Sequence, residues 1–373
     1  MFTKDQTELE RVGLQIIFIL LLISSIGLLM VYSSSYIYAK EVYGSSAYFF
    51  LKQLIYFAIG LAVAIIVSKT KFSFWIKYGL HINAICTGLL ILTMVPSFSR
   101  SVKGAARWIE FNGLGMQPSE IIKFSLMILA IPYFENFSHY SFKQKCLGAI
   151  GMILPLIILI RQPDFGSFTI CFLVIGFICF LSNFPRKYFY GILLSGLFIG
   201  LSTFFLKAYR IKRLLTFLDP WKNPKTSGFQ IIQSYLAFAN GSFLGQGLGN
   251  SNEKLFYLPE AHNDFIFSVI GEELGFLGVF LIIAMFVCLI YFGYKFALQL
   301  NSRLAFILAS TVMFSLGLQS VLNMGVVLGL LPTKGLNLPF ISYGGSSLVC
   351  NFFGIGLLFS TMNESRDNSY IHS

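Results

Sequence analysis

Long apolar segments alternate with short polar segments along almost the whole chain. A helix needs about 20 predominantly apolar residues to cross the hydrocarbon core of a bilayer, and about ten segments approach or exceed that length. They cover residues 12–32, 47–67, 78–96, 119–135, 147–161, 166–184, 188–206, 264–290, 303–331 and 343–362. The pattern predicts an all-α polytopic membrane protein with about ten transmembrane helices, in which residues 1–373 form a single integral membrane domain.

The composition agrees with a membrane protein. Hydrophobic residues make up 56% of the chain and charged residues 12%, whereas soluble globular domains carry about 25% charged residues. The formal net charge of +11 indicates contact with anionic lipid or with an anionic substrate. Nucleic acid is a poor alternative, because most of the chain cannot leave the bilayer. The six cysteines lie within or at the edges of apolar segments and lack ligand spacing, which favours small core residues.

Basic residues in the loops bear on the orientation of the chain. In membrane proteins, the short loops on the cytoplasmic side carry an excess of lysine and arginine. If the N-terminus of this chain is cytoplasmic, most basic residues of its short loops lie on that side, in agreement with this rule. The long loop at residues 207–263 breaks the pattern, because it carries several lysines and arginines on the outer side. Long loops translocate largely regardless of charge, so charge counting favours this orientation without deciding it. In this orientation, the outer basic residues would need another reason, and binding an anion is the obvious one.

The long loop and the residue after it carry the main candidate chemistry, since loops of this length are usually functional. The loop contains Arg210 and Arg213 and leads through His262 to Asp264, at the mouth of the next apolar segment. Arginine holds phosphate oxygens in a fork. A carboxylate can accept a proton from an attacking hydroxyl, or hold a divalent cation, Mg²⁺ or Mn²⁺, against a departing pyrophosphate. The set favours transfer chemistry on a phosphate-bearing substrate, and a helix-capping role for Asp264 is the alternative.

Motifs of several other enzyme classes are absent from the sequence. The chain has no Walker loop, no GxSxG elbow and no HExxH motif. A nucleotide is therefore not indicated as a cofactor, and serine-hydrolase and metalloprotease chemistry have no support. The signal from the arginines and the carboxylate suggests a reaction class but does not specify a substrate.

Two other outer loops hold the remaining candidate residues. Arg107 lies in the second outer loop, and Glu120 and Lys123 share a face of the helix after it because they are three residues apart. This pair is either a structural ion pair or part of a polar cavity. The last outer loop lies in the segment LPTKGLNLPFISYGGSS, which contains Lys334 and, near its end, Ser346. Its glycines either let the backbone approach a ligand closely or allow tight helix packing.

Six sequence blocks together resemble the SEDS family, named for shape, elongation, division and sporulation. The blocks are ARWIEFNGLGMQPSEIIK, RQPDFGS, YRIKRLLTFLDPW, SGFQIIQS, GQGLGNSNEKLFYLPEAHNDFIFSVIGEELGFLG and LPTKGLNLPFISYGGSS. The resemblance runs from about Val12 to Met362. LPEAHNDFIF, GEELG and PTKGL are more similar to division members than to elongation members. Asn263 departs from the threonine usual in the family, and we expect no effect of this difference on the chemistry.

The resemblance implies a fold, an activity and a partner. The implied fold has ten spans, both termini cytoplasmic and a short cytoplasmic tail at 363–373. The implied activity is peptidoglycan glycosyltransfer from lipid II at the outer face of the bacterial cytoplasmic membrane, during septal wall synthesis. The family's essential aspartate matches Asp264, and its polar cavity residues match Arg107, Glu120 and Lys123. The implied partners are a class B penicillin-binding protein, which is a transpeptidase, and other divisome proteins.

Two rival functions stay open at this point. A transporter that flips lipid II would also need many spans and buried polar residues. A scaffold that only recruits and activates the transpeptidase would not need Asp264 at all. Product formation separates them, because a polymerase makes long glycan from lipid II in detergent, where there is no second leaflet.

Overall fold

The computed structural model describes residues 2–96, 99–102, 105–111, 114–205, 208–251 and 261–371. Within these ranges the chain is mostly helical, with one small sheet. The helices are α1 Phe2–Tyr43, α2 Tyr48–Lys69, α3 Phe72–Leu92, α4 Pro118–Glu135, α5 Phe142–Arg161, α6 Phe165–Leu181, α7 Arg186–Phe205, α8 Ala208–Leu218, α9 Phe229–Gly241, α10 Ile266–Leu298, α11 Arg303–Val327 and α12 Gly345–Ile371. The strands are β1 Ser99–Val102, β2 Ala105–Phe111 and β3 Leu114–Met116.

A helix lies at each of the ten predicted segments. Seven of them, α1, α2, α3, α5, α10, α11 and α12, are long and apolar enough to cross a membrane, and α6 is a shorter apolar helix. The chain is therefore a multi-pass membrane protein, and the count of ten spans stays a prediction. The predicted boundaries were less accurate than the predicted segments. α1 begins at residue 2 rather than 12, and α12 continues to 371, through most of the predicted tail, because helical hydrogen bonding extends beyond the apolar stretch.

The all-α prediction missed a three-stranded antiparallel sheet in the loop predicted to be the second outer loop. The strand order is β1-β2-β3, with Arg100 opposite Trp108 and Ile109 opposite Met116. The strands are only three to seven residues long. Segments this short carry too little alternation to be separated from a loop by pattern alone. The predicted long loop at 207–263 contains α8, a 3₁₀ turn at Pro220–Lys222 and α9, while residues 207 and 252–260 lie outside the described ranges.

Local signals in the sequence explain where several helices begin. Pro118 occupies the first turn of α4, where its missing N–H costs no hydrogen bond. Ser141 and Gln144 form a capping box at the start of α5. Asp164 caps α6 by accepting a hydrogen bond from Ser167 N at 3.2 Å. The caps of α4 and α6 fix helix ends on the same side of the bundle as the sheet, and the cap of α5 fixes a helix end on the opposite side.

The core of the bundle is built around α4, α11 and α12. Nearly every residue of α4 is buried, and α11 and α12 are buried over most of their length. α4 packs against α3 and α6, α10 packs against α1 and α11, and α12 packs against α2. At Gly79, a Cβ would lie only 2.8 Å from Ile128 O, so glycine is what lets α3 approach α4 closely.

Ion pairs identify the helix ends that share one face of the bundle. Lys295 near the end of α10 pairs with Glu8 near the start of α1, at 3.1 Å. Arg303 at the start of α11 pairs with Glu135 at the end of α4, at 2.7 Å. The start of α10, and with it Asp264, therefore lies at the opposite face, as do the sheet and the loop between α11 and α12.

The helix α10 is interrupted at Gly275, which has a φ of 66°. The segment after α9 fills this break by replacing helical hydrogen bonds. Its backbone contacts are Gln246 N to Glu272 O (2.9 Å), Gly247 N to Glu273 O (3.0 Å), Phe276 N to Ser242 O (3.0 Å) and Leu277 N to Phe243 O (3.3 Å). The long outer loop is thus joined to α10 about one third of the way along that helix.

Candidate active site

Asp264 lies in the turn at residues 261–265 that leads into α10, and its residue is half-buried. Its carboxylate faces the outer loop between α11 and α12, which we call loop 328–344. A Cβ on Gly335 of that loop would lie 3.4 Å from Asp264 Oδ2. Asn323 of α11 donates to Asp264 O at 2.9 Å and to Leu336 O at 2.5 Å. The carboxylate is therefore held between a helix start and a glycine-containing loop.

Basic residues lie along the same loop. Lys334 directly precedes Gly335 and is half-buried, and this burial lowers the pKa of its ammonium group because the charged form loses solvation. Arg213 of α8 is exposed and donates to Thr333 O at 3.3 Å. The structure thus brings Arg213, Lys334 and Asp264 to one short stretch of backbone. Two cationic residues on this stretch, near the carboxylate of Asp264, suit the binding of a phosphate-bearing substrate.

Glu120 and Lys123 form a buried ion pair with an Nζ–Oε2 distance of 2.9 Å, and their side chains are 12% and 4% exposed. The ammonium of Lys123 also donates to Gln319 Oε1 at 2.8 Å and to Asn351 Oδ1 at 3.0 Å. Gln319 in turn donates to Asn337 O of loop 328–344 at 3.0 Å. The pair predicted from the sequence therefore exists, and one carboxamide connects it to the loop beside Asp264.

Two arginines that were predicted to bind substrate contact the turn between α5 and α6 or the first residue of α6. Arg107 of β2 donates to Pro163 O at 2.6 Å and to Gln162 O at 3.3 Å. Arg210 of α8 is only 4% exposed, and its guanidinium lies 4.8 Å from the ring centre of Phe165. These contacts give both arginines a structural role in holding the outer elements together, and their binding to substrate stays a prediction.

His262 and Ser346 also have protein contacts. The His262 ring lies in an aromatic cluster with Tyr38, Phe49 and Tyr343, at centroid distances of 5.9, 4.6 and 5.7 Å. Its carbonyl accepts a hydrogen bond from Tyr343 N at 2.9 Å. Ser346 Oγ accepts from Gln117 N at 3.0 Å, which ties the start of α12 to the start of α4. Both residues position the segments around the site, and their contact with substrate stays a prediction.

Three buried carboxamides, Gln319, Asn323 and Asn351, contact the site residues without having been predicted among them. In the sequence, Gln319 and Asn323 are two carboxamides four residues apart in an apolar segment, a spacing that puts them on one helix face and predicts hydrogen bonds between helices. Gln319 accepts a hydrogen bond from Lys123 of α4, as expected for a polar residue between helices, whereas Asn323 donates to the Asp264 turn and to loop 328–344. Asn351 had no such signal, because its partner Lys123 is 228 residues away in the sequence.

The residues around Asp264 suit a divalent cation only if the substrate supplies part of its ligands. Among the described residues there is no group of three or more His, Cys, Asp or Glu side chains that could hold a metal. Magnesium often binds through one or two carboxylates together with substrate phosphates. Asp264 suits that kind of shared site, and the described residues form no dedicated protein cage.

Comparisons with known proteins agree with the fold and the motifs. The chain is 39% identical over 368 residues to the probable peptidoglycan glycosyltransferase FtsW of Geobacter metallireducens, covering 98% of each chain. It is 36% identical to the Legionella pneumophila protein of the same name, covering 91% of this chain and 88% of that one.

Solved structures with the same fold cover nearly the whole chain. A chain described under "Structural coordination of polymerization and crosslinking by a peptidoglycan synthase complex" has 26% identity and a TM-score of 0.74, with 94% of this chain and 97% of that one covered. The rod shape determining protein RodA of Thermus thermophilus has a TM-score of 0.68 at 23% identity, with 94% and 96% covered, and supports the fold alone. The family model for the FtsW, RodA and SpoVE cell cycle proteins matches residues 14–367. The chain therefore belongs to this cell cycle protein family, which is the SEDS family that its motifs resemble.

Proposed function

We propose that the protein is a peptidoglycan glycosyltransferase that polymerises lipid II into glycan strands at the outer face of the cytoplasmic membrane. The observation that carries this proposal is the placement of Asp264 beside Gly335, with Lys334 next in the chain and Arg213 bonded to Thr333. A carboxylate and two cations on one stretch of backbone suit an attacking hydroxyl and a departing pyrophosphate. Relatives named as glycosyltransferases support the same activity.

In the proposed reaction, the growing glycan is the donor and is held through its polyprenyl pyrophosphate. The 4-hydroxyl of the GlcNAc on the incoming lipid II attacks the anomeric carbon of the donor, and the bond from that carbon to the pyrophosphate oxygen breaks. Asp264 accepts the hydroxyl proton. The pyrophosphate leaves with the bonding electron pair. Direct displacement inverts the anomeric centre, so an α-linked donor gives a β-linked product.

The cations of the site have separate tasks in this reaction. Arg213 and Lys334 bind the departing pyrophosphate from loop 328–344 and α8, because arginine forms forked hydrogen bonds to phosphate oxygens. Lys123 is held deeper in the bundle by three acceptors, so it contributes positive charge at a fixed position. Mg²⁺ or Mn²⁺, when bound by Asp264 and substrate phosphates, would further neutralise the leaving group.

We infer a role in cell division with a class B penicillin-binding protein as partner, at the division septum and with both termini in the cytoplasm. The FtsW name of the similar relatives supports the division role. The similar solved chain belongs to a synthase complex that couples polymerisation and crosslinking, which supports the transpeptidase as partner. Other divisome proteins would assemble around this pair.

The test uses the purified full chain in detergent with labelled lipid II, with and without the transpeptidase and divalent cation. Wild type should make long glycan, and Asp264→Asn should make none while remaining folded, because asparagine keeps the size but cannot accept the proton. The matched control is Asp219→Asn, since Asp219 lies in the same outer loop and is bonded to Lys222 at 3.6 Å. A wild-type protein that makes no glycan would favour the flippase or the scaffold, and an active Asp264→Asn would remove the catalytic role.

A further inference from the structure

Two carboxamide side chains of α11 contact both halves of the site. Asn323 is 2% exposed, and its Nδ2 group donates to Asp264 O and to Leu336 O. The two carbonyl acceptors fix which atom of the amide is nitrogen, because an oxygen in that position would face two other oxygens. One side chain thus connects the turn that carries Asp264 with loop 328–344.

Gln319 makes the corresponding connection one helical turn earlier. It is 1% exposed, accepts from Lys123 Nζ and donates to Asn337 O. Its loop partner Asn337 directly follows Leu336, the loop partner of Asn323. Two consecutive carbonyl groups of the loop are therefore bound by two amides that are four residues apart on one face of α11.

The chemistry of the carboxamide group suits this position. A carboxamide donates and accepts at the same time, so Gln319 can hold an ammonium group on one side and a carbonyl on the other. It is also neutral, so it adds no charge to a site that must bind a pyrophosphate. α11 is buried along most of its length, which makes it a rigid support. Without that support, the conformation of the two loops would depend on their own backbone alone.

We propose that Gln319 and Asn323 are positioning residues that hold Asp264, Lys123 and loop 328–344 at fixed separations during glycosyl transfer. This inference rests on the proposed function. Neither residue needs to touch substrate, since each acts through a group that does. Because the reacting groups must be aligned within a fraction of an ångström, displacement of the Asp264 turn should slow the chemical step more than it weakens binding.

The experiment measures kcat and KM for lipid II polymerisation by the purified full chain, together with its melting temperature. Asn323→Leu removes both donated hydrogen bonds at similar volume, and Asn323→Asp keeps the shape while replacing the donor group with a carboxylate oxygen. Both should lower kcat by roughly 10- to 100-fold and leave the KM for lipid II within about threefold of wild type. The control is Ser320→Ala, because the Ser320 hydroxyl is buried on the same helix but bonds only Leu316 O of that helix among the described residues. It should keep the wild-type kcat.

The possible results distinguish a wrong inference about Gln319 and Asn323 from a wrong proposed function. If wild type makes glycan and a folded Asn323→Leu has a kcat within threefold of it, the inference is wrong and the proposed function stands. A raised KM with unchanged kcat would equally overturn it, since that result indicates substrate binding. If neither Asn323 variant melts cooperatively, Gln319→Glu decides, because it retains an acceptor for Lys123, loses the donor to Asn337 O and adds one negative charge. A folded Gln319→Glu with wild-type kcat overturns the inference, and a wild type without glycan overturns the proposed function and the inference with it.

Discussion

The buried pair of Glu120 and Lys123 allows a prediction with a magnitude. Lys123→Met would leave the Glu120 carboxylate without its cation in a site that is 12% exposed, and would also deprive the oxygens of Gln319 and Asn351 of a donor. Breaking a buried ion pair in this way costs roughly 3–5 kcal/mol. Glu120→Gln should cost only about 1 kcal/mol, because an amide oxygen still accepts from Lys123 and the lysine keeps its other two acceptors.

The double variant Glu120→Gln, Lys123→Met distinguishes a purely structural role of the ion pair from a role in the substrate cavity. It removes the unpaired carboxylate, so it should be more stable than Lys123→Met alone. It still leaves amide oxygens without donors, so about 1–3 kcal/mol of destabilisation should remain relative to wild type. If the pair lines the substrate cavity, this variant regains folding but makes no glycan.

The assay is a double-mutant cycle measured twice on the same preparations. Thermal melting in detergent gives the stability of the four proteins, and glycan formed from lipid II gives their activity. We expect stability to recover in part and polymerisation to stay absent. A double variant that regains wild-type polymerisation would make the pair structural and remove both residues from the site.

Three further predictions concern the outer loops and the break in α10. Gly275→Ala should destabilise the protein by more than about 1–2 kcal/mol, because its φ is 66° and a Cβ would clash with the loop after α9, whereas Gly176→Ala in α6 should be harmless; melting temperatures check both. Burial lowers the pKa of Lys334 below 10.5, so between that lowered value and 10.5 the unfolded state binds more protons. Wild-type stability should therefore rise with pH across this window, and Lys334→Gln should abolish the rise, as followed by melting against pH. Arg213→Ala should raise the KM for lipid II at an unchanged melting temperature, while Arg210→Ala should lower the melting temperature; equal effects would contradict the assignment.

The helices could be predicted from the sequence because lipid imposes a simple rule on them. Every backbone polar group in a span must be satisfied within the helix, so apolar length alone marks the element. That rule does not apply outside the hydrocarbon core, and there the prediction missed the sheet at residues 99–116 and the helical ends of α1 and α12. It also missed the break at Gly275, because the loop groups that donate to or accept from α10 at the break lie 26 or 34 residues earlier in the chain than their partners.

Residues of the candidate site could be predicted only where the sequence around them indicates a role without knowledge of the packing. Asp264 follows a histidine at the start of an apolar segment, and Glu120 and Lys123 have the spacing of a helical pair. Asn351 could not be assigned in this way, since its partner Lys123 is distant in the sequence. Contacts of this kind depend on how the helices pack, which hydropathy does not record.

The basic residues of the outer face show why counting charge did not identify the substrate-binding groups. Arg210 was predicted to bind the pyrophosphate and Arg107 to line the polar cavity, and both contact the protein at Gln162, Pro163 and Phe165, in the turn before α6 and at its first residue. Such contacts use the guanidinium groups to join the sheet and α8 to the bundle. Arg213 and Lys334 lie instead along the loop beside Asp264. These four basic residues therefore divide into two that join elements of the fold and two that the proposed function assigns to a departing pyrophosphate.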